Sequence, residues 1–213
     1  MDNLNSVIGF FYNIIPGLLF FYINDRNLKI INIESATAGN ALKILLLIAF
    51  GLFMGFIFQS LTKLLRQIFL NKIIFLWIKF SDLDLYDAAV SELKKINRKK
   101  PGDTVNNFYL MHNYLASVGR ERLPEYFSAR FAFWSNIFFA LSISLIINDL
   151  IFNQTKIELP ATDIKINYTI FIFCILYSLV ISLMNFHDMY DTVLKSFITI
   201  KKIEPETQKT KTT

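Results

Sequence analysis

The chain has 213 residues, of which 54% are hydrophobic, and it carries a formal net charge of +5. This composition is too apolar for a typical soluble domain. With 7 glycines and 5 prolines it favours helices over a turn-rich β-architecture, and its apolar blocks are continuous rather than alternating. Cys174 is the single cysteine, so the chain can form no internal disulfide and no thiolate metal cage. We therefore expect an all-α integral membrane protein.

Two apolar blocks precede the centre of the chain and predict transmembrane helices within residues 1–58. The first, residues 4–23, is interrupted by Asn13 and by Pro16, which removes a backbone donor and predicts a kink. A kinked span and a shorter re-entrant helix both fit this block. The second block, residues 41–58, carries Lys43 near its end, where a long side chain can reach the headgroups.

Residues 59–130 form a basic segment that we expect on the cytoplasmic side. Residues 59–80 predict an amphipathic helix at the membrane surface, because basic residues interrupt the apolar positions. Two short amphipathic helices follow and predict a hairpin. The apolar face of the first comprises Leu83, Tyr86, Val90 and Leu93, and that of the second includes Phe108, Leu115 and Val118. The sequence thus predicts a cytoplasmic helical hairpin between spans 2 and 3.

Residues 131–200 predict the third and fourth spans and a cytoplasmic extension of the last helix. The block 131–152 contains one ionisable residue, Asp149, and as a helix its 22 positions reach about 33 Å, enough to cross a bilayer core. The fourth span is predicted over residues 168–186, with helical periodicity continuing to residue 200. The polar tail, residues 201–213, is predicted to be disordered.

The distribution of basic residues predicts the orientation in the membrane. Residues 59–130 hold 12 of the 22 lysines and arginines, and the tail after the fourth span holds five. With four spans these 17 residues lie on the same side, which the positive-inside rule makes cytoplasmic. Both termini are therefore expected in the cytoplasm. The membrane itself is expected to be a bacterial inner membrane.

Polar residues within the third and fourth spans form two helical stripes. The spacing of seven in one and of four and three in the other places each set on one helix face. Polar residues in spans face protein or water rather than lipid, so they predict either interhelical hydrogen bonds or a pore lining in an oligomer. The candidate pore-lining residues are Ser135, Ser142, Asp149, Ser178, Ser182 and Asn185.

The second span contains a GxxxG motif made by Gly51 and Gly55. Small residues one turn apart let two helices approach closely where lipid gives no hydrophobic driving force. The motif predicts helix packing, either within the same chain or between copies of a homo-oligomer.

The basic segment contains a cluster that predicts contact with an anion. Its members are Lys94, Lys95, Arg98, Lys99, Lys100, Arg120, Arg122 and Arg130. Attraction to anionic lipid headgroups accounts for such a cluster, and an anionic, nucleotide-like ligand is the alternative.

No catalytic motif is present, so we expect neither an enzyme nor a cofactor. His187, Asp188 and Asp191 share a helix face, but an ordinary solvated helix end explains them better than a metal or proton site.

In layout, with compact spans around a basic cytoplasmic helical segment, the chain resembles the small multi-span membrane effectors of bacterial antiphage defence systems. The resemblance carries no residue motif, so it implies no functional residues. It implies membrane permeabilisation under the control of a protein partner or a small anionic ligand. The first hypothesis is thus an oligomeric channel or membrane-permeabilising effector gated from the cytoplasm, and the alternative is a non-conducting anchor or scaffold that presents the hairpin to a partner protein.

Overall fold

The computed structural model describes residues 2–28, 41–67, 72, 76, 83–96, 104–152, 156–158 and 165–209. Within these ranges the chain is almost entirely helical, which confirms the all-α class. Its helices are α1 (Asp2–Leu28), α2 (Ala41–Leu65), α3 (Leu83–Ile96), α4 (Thr104–Ser117), α5 (Arg122–Ile146) and α6 (Tyr168–Lys209). A π-helical segment, Ile147–Ile151, follows α5. Strands β1 (Lys156–Glu158) and β2 (Lys165–Asn167) pair antiparallel, with Ile157 opposite Ile166.

Three helical segments are long and apolar enough to cross a membrane, as expected for a membrane protein. They are Ile44–Leu65, Arg122–Ile151 and Tyr168–Lys201, with mean hydropathies of 2.3, 1.7 and 2.2. The apolar stretch found in α1, Phe10–Asn24, is shorter. Side chains on the outer faces of these helices are exposed and apolar, as lipid contact requires, for example Leu45 at 62% and Phe173 at 66%.

Helix α2 ends seven residues later than the sequence predicted. It continues from residue 58 to Leu65, so Lys63 lies in its last turn and not in a separate surface helix. Leucines at positions 61, 64 and 65 extend the apolar surface, and the long stem of Lys63 lets its charge reach water from a helix end. Most of the remaining amphipathic segment, residues 68–80, lies outside the described residues.

Helix α6 also extends further than expected. Its 42 residues reach Lys209, so residues 201–209 have a helical backbone where the sequence predicted disorder. A helix that is already formed adds residues without a new nucleation step, which favours this extension even though Pro205 within it lacks a backbone donor.

The chain divides into two compact units. The bundle unit comprises Met1–Leu64 and Ala129–Leu183, and the hairpin unit comprises Leu65–Ser128 and Met184–Thr213. Helices α5 and α6 contribute residues to both.

The described residues of the bundle unit form two apolar clusters. One contains Phe20, Phe21, Phe58 and Ala140, which belong to α1, α2 and α5. The other contains Ile23, Leu141, Ile157, Phe171 and Ile175, so strand β1 packs among the helices. This strand pair was not predicted from the polar connection in which it lies.

The hairpin unit packs the predicted apolar faces of α3 and α4 and adds the C-terminal part of α6. Tyr86 and Leu93 are buried on α3, as Phe108 and Leu115 are on α4. Of the other residues predicted for these faces, Val90 is half-buried, whereas Leu83 and Val118 are exposed because they lie at the first residue of α3 and just beyond the end of α4. The Phe108 ring lies against Tyr190 of α6, with 3.8 Å between the ring centroids. Helix α4 is closed by a hydrogen bond of 2.9 Å from the Arg120 N–H to the Leu115 carbonyl. Gly119, at φ 69°, supplies the left-handed residue that this type of helix end requires.

Candidate functional site

The bundle unit contains buried polar side chains at two levels. We call the first level layer 1; it is formed by Asn13, Thr62 and Asn136. The Thr62 hydroxyl donates to Asn136 Oδ1 at 2.9 Å, and Asn136 Nδ2 lies 3.5 Å from Asn13 Oδ1. Thr62 and Asn136 are 3% and 0% exposed, and Asn13 is half-buried. Layer 1 therefore connects α1, α2 and α5 by hydrogen bonds.

The second level, layer 2, is formed by Asn24, Ser144 and Asn148. Asn24 Nδ2 donates to Ser144 Oγ at 2.6 Å, and Asn148 Nδ2 donates to Asn24 Oδ1 at 3.0 Å. Ser144 Oγ in turn donates to the Ala140 carbonyl at 2.8 Å. Each layer 2 side chain thus finds partners within α1, α5 and the π-helical segment. Such internal pairing avoids the cost of an unpaired polar group in an apolar medium.

The spacing of residues on α5 explains why these polar groups are buried. Asn136, Ala140, Ser144 and Asn148 follow one another at intervals of four, so each lies about one turn from the next on a stripe that winds slowly around the helix, and each is at most 1% exposed. Asn136 and Asn148 are twelve residues apart, or about 18 Å along the helix.

Between the two layers the interior is apolar. The Phe20 and Phe58 rings meet edge to face with 5.7 Å between centroids and pack in the same cluster as Ala140. Phe20 lies between Asn13 and Asn24 along α1, just as Ala140 lies between the two layers along α5. The edge-to-face contact between these two aromatic rings therefore separates the two polar layers.

The GxxxG glycines face α1 of the same chain. A Cβ added to Gly55 would overlap the carbonyl group of Asn13, and one added to Gly17 would overlap the carbonyl group of Gly51. A Cβ on Gly51 would lie 2.8 Å from Leu18 Cδ2. Of the two alternatives that the motif left open, the structure contains packing within the chain, and Gly17 is a third participant that the sequence analysis did not identify.

Two of the predicted pore-lining residues bond to each other. The Ser135 and Ser182 hydroxyls are 2.5 Å apart, and Ser182 also lies 3.4 Å from the Phe131 carbonyl. Ser178 donates to the carbonyl of Ile175 in its own helix at 2.8 Å. All three serines are at most 2% exposed. The interhelical hydrogen bond that the stripes predicted is thus present between α5 and α6.

The other three predicted residues have different surroundings. Asn185 is buried and belongs to the hairpin unit, Ser142 is half-buried, and Asp149 is exposed. Asp149 lies in the π-helical segment, where the Phe152 N–H bonds to the carbonyl of Ile147, five residues back, at 3.2 Å. A π-turn changes the angular phase of a helix, so a spacing of seven no longer keeps one face there. The six residues therefore do not share one environment.

The predicted anion-binding cluster is only partly within the described residues, since Arg98, Lys99 and Lys100 lie outside them. Lys94 and Lys95 are exposed at the end of α3, and Lys95 forms an ion pair with Glu92.

The cluster's other three arginines lie just before or within the first turns of α5. Arg120 and Arg122 are exposed, and Arg130 is half-buried. Glu121 and Glu125 alternate with the first two in sequence, so the positive charge there is balanced locally.

The His187 group does not form a metal site. His187 Nδ1 lies 3.6 Å from Asp188 Oδ1, while Asp191 pairs with Lys195 at 2.8 Å. Among the residues that the structure describes, no three histidine, cysteine or acidic side chains are close enough to hold a metal ion.

The fold and the buried layers together define the class: an all-α protein with three helices able to span a membrane and a hydrogen-bonded helical interior. Comparison with family models, with curated proteins and with solved structures finds no match to the chain. Inference about function therefore depends on the geometry of the chain itself.

Proposed function

We propose that the protein is a four-span membrane anchor that holds the hairpin unit at the cytoplasmic face, where a partner protein can bind it. The observation that carries this proposal is the burial of Ser135, Ser178 and Ser182 within one chain. A residue that lines a water path must face that path, whereas these hydroxyls bond to neighbouring helix atoms. A closed bundle supports an anchor better than a pore lined by these serines.

The geometry of α1 supports the fourth span. Helix α1 has 27 residues and a length of about 40 Å, which exceeds the thickness of a bilayer core. It contributes Asn13 to layer 1 and Asn24 to layer 2, and these two residues are about 17 Å apart along its axis. The matching interval on α5 is about 18 Å, so α1 follows a spanning helix through both levels. A short re-entrant segment would not do so.

The charge distribution supports a cytoplasmic position for the hairpin unit. Its two segments hold 15 of the 22 lysines and arginines. Under the positive-inside rule the side richer in these residues faces the cytoplasm.

Ion flux tests the anchor proposal. Purified protein reconstituted in liposomes with a potassium gradient should give no flux above that of protein-free liposomes, and a pore-forming peptide serves as the positive control. Potassium flux that is present in liposomes with the wild-type protein and absent from protein-free liposomes would contradict a non-conducting anchor.

The second candidate is the oligomeric channel or permeabilising effector gated from the cytoplasm. One observation favours it: Asp149 is exposed in the π-helical segment that follows α5, and a ring of such carboxylates in an oligomer would favour cations. On this hypothesis a cytoplasmic protein partner or anionic ligand opens the channel, and Asp149→Asn reduces the cation preference of the resulting conductance. The resemblance to antiphage effectors belongs to this candidate and stays a prediction.

A further inference from the structure

Arg66 occupies a distinctive place at the end of a spanning helix. It directly follows the candidate span Ile44–Leu65, in a π-helical turn, and it is half-buried. Its guanidinium carbon lies over the ring of Phe186, 5.8 Å from the ring centre. The negative face of an aromatic ring attracts a cation at this distance, so Phe186 helps to hold the guanidinium in place. Both residues belong to the hairpin unit.

The Arg66 side chain has an unused donor. Its Nε is buried and has no hydrogen-bond partner, and no carboxylate among the described residues forms an ion pair with it. A guanidinium has five N–H donors and no acceptor, and a buried donor without a partner is unfavourable. The buried Nε is out of reach of solvent, so a partner from outside the chain would bind the guanidinium through its two terminal Nη atoms.

The surrounding sequence selects an anion as that partner. No aspartate or glutamate occurs from position 35 to position 81, whereas Arg66 and four lysines do. Lys63, three residues before Arg66, is exposed at the same helix end. The segment that contains Arg66 is thus basic with no acidic residue near it in sequence, unlike the segment that contains Arg120 and Arg122.

The position of Arg66 and the shape of its head group favour phosphate. The end of a spanning helix lies at the level where lipid phosphates and the adjoining water begin. The planar fork of a guanidinium matches two phosphate oxygens, and such charge-assisted bonds are stronger than neutral ones.

We propose that Arg66 is the centre of a phosphate-binding site at the hairpin-unit end of α2. The site takes the phosphate of an anionic phospholipid headgroup or a soluble phosphate anion, which have the same oxygen chemistry. It requires only that α2 spans the membrane, so it holds whether the bundle is an anchor or a channel.

Three versions of the full-length protein test the site: wild type, Arg66→Gln and the matched control Lys63→Gln, which removes the same charge three residues away. Binding of phosphatidylglycerol and phosphatidylcholine to each protein in detergent is measured by native mass spectrometry. Arg66→Gln should weaken phosphatidylglycerol binding about tenfold, because it removes charge-assisted hydrogen bonds. Lys63→Gln should change it less than about twofold, as expected for an exposed charge.

A second arm identifies the source of the phosphate by adding inorganic phosphate and recording the thermal unfolding midpoint of each protein. A rise in midpoint that requires Arg66 but not Lys63 supports the site with a soluble ligand. If Arg66→Gln loses binding of phosphatidylglycerol and Lys63→Gln does not, the result supports the site with a lipid headgroup as its ligand. If Arg66→Gln does not fold, Arg66→Lys replaces it, since a lysine keeps the charge but lacks the fork and should still bind more weakly. The proposal would be overturned if Arg66→Gln and Lys63→Gln lost phosphatidylglycerol binding equally. It would also be overturned if neither lipid binding nor the phosphate-dependent unfolding midpoint depended on Arg66.

Discussion

Replacing Gly55 with alanine tests the contact between α1 and α2 most sharply. The added Cβ would approach the Asn13 carbonyl group more closely than 3.0 Å, a separation that real Cβ atoms essentially never show. The obstacle is backbone, so α1 and α2 must separate, and layer 1 is strained because Asn13 and Thr62 belong to it. Overpacking of this kind costs about 1–3 kcal/mol, while alanine gains up to about 1 kcal/mol over glycine in helix propensity. We expect a net loss of stability of about 1–2 kcal/mol.

The assay is unfolding in mixed micelles by titration with sodium dodecyl sulfate, followed by tryptophan fluorescence. Trp134 is a suitable reporter because it contacts Tyr177 of α6 with 6.2 Å between ring centroids. The matched control is Ala49→Val on the exposed face of α2, which should change stability by less than about 0.5 kcal/mol. A Gly55→Ala protein as stable as the wild type but with a smaller oligomer mass would refute the reasoning and place the glycines between subunits.

Two further predictions concern single contacts. Ser135→Ala and Ser182→Ala should couple by about 0.6 kcal/mol, and at most about 1.7, in a double-mutant cycle measured by the same unfolding assay; additive effects would mean that the hydroxyls do not interact. Phe108→Ala should destabilise the hairpin unit by about 3–5 kcal/mol, because Phe108 is 2% exposed and stacks on Tyr190, whereas Tyr109→Ala, at an exposed position, should cost far less. Hydrogen exchange of α3 and α4 measures this difference, and equal protection in both variants would contradict the packing.

Hydropathy and helical periodicity predicted the apolar helices and the central residues of the hairpin's apolar faces, but not where α2 and α6 end. Tyr86 and Leu93 on α3, and Phe108 and Leu115 on α4, are buried as their spacing indicated, whereas Leu83 and Val118, at the helix ends, are exposed. A helical period states which residues share a face but not which element covers that face. The role of the C-terminal part of α6 as that cover is therefore a result of the structure.

The candidate site was predictable only in part. The serine stripes indicated contact between α5 and α6, and the pair that meets, Ser135 and Ser182, belongs to them. The π-helical segment that changes the phase before Asp149 has no signal in its apolar sequence.

Layer 1 and layer 2 were missed, although their signal was present. Asn136, Ser144 and Asn148 recur at multiples of four on one helix, with Ala140 in the remaining position. Asparagine in a span is unfavourable unless it is paired, so this stripe indicated partners on other helices. Which helices supplied them, through Asn24 and Thr62, depends on tertiary packing and could not be read from a period.

The central claim is that four spans hold the hairpin unit in the cytoplasm, and accessibility of single cysteines in intact cells tests it most directly. In a Cys174→Ser background, Thr37→Cys and Ala161→Cys should react with a membrane-impermeant thiol reagent from outside. Ser6→Cys and Ser91→Cys should react only after the membrane is permeabilised, because the proposed orientation places both on the cytoplasmic side. Labelling of Ser91→Cys from outside would contradict the orientation, and labelling of Ser6→Cys from outside while Ser91→Cys stays protected would contradict the fourth span.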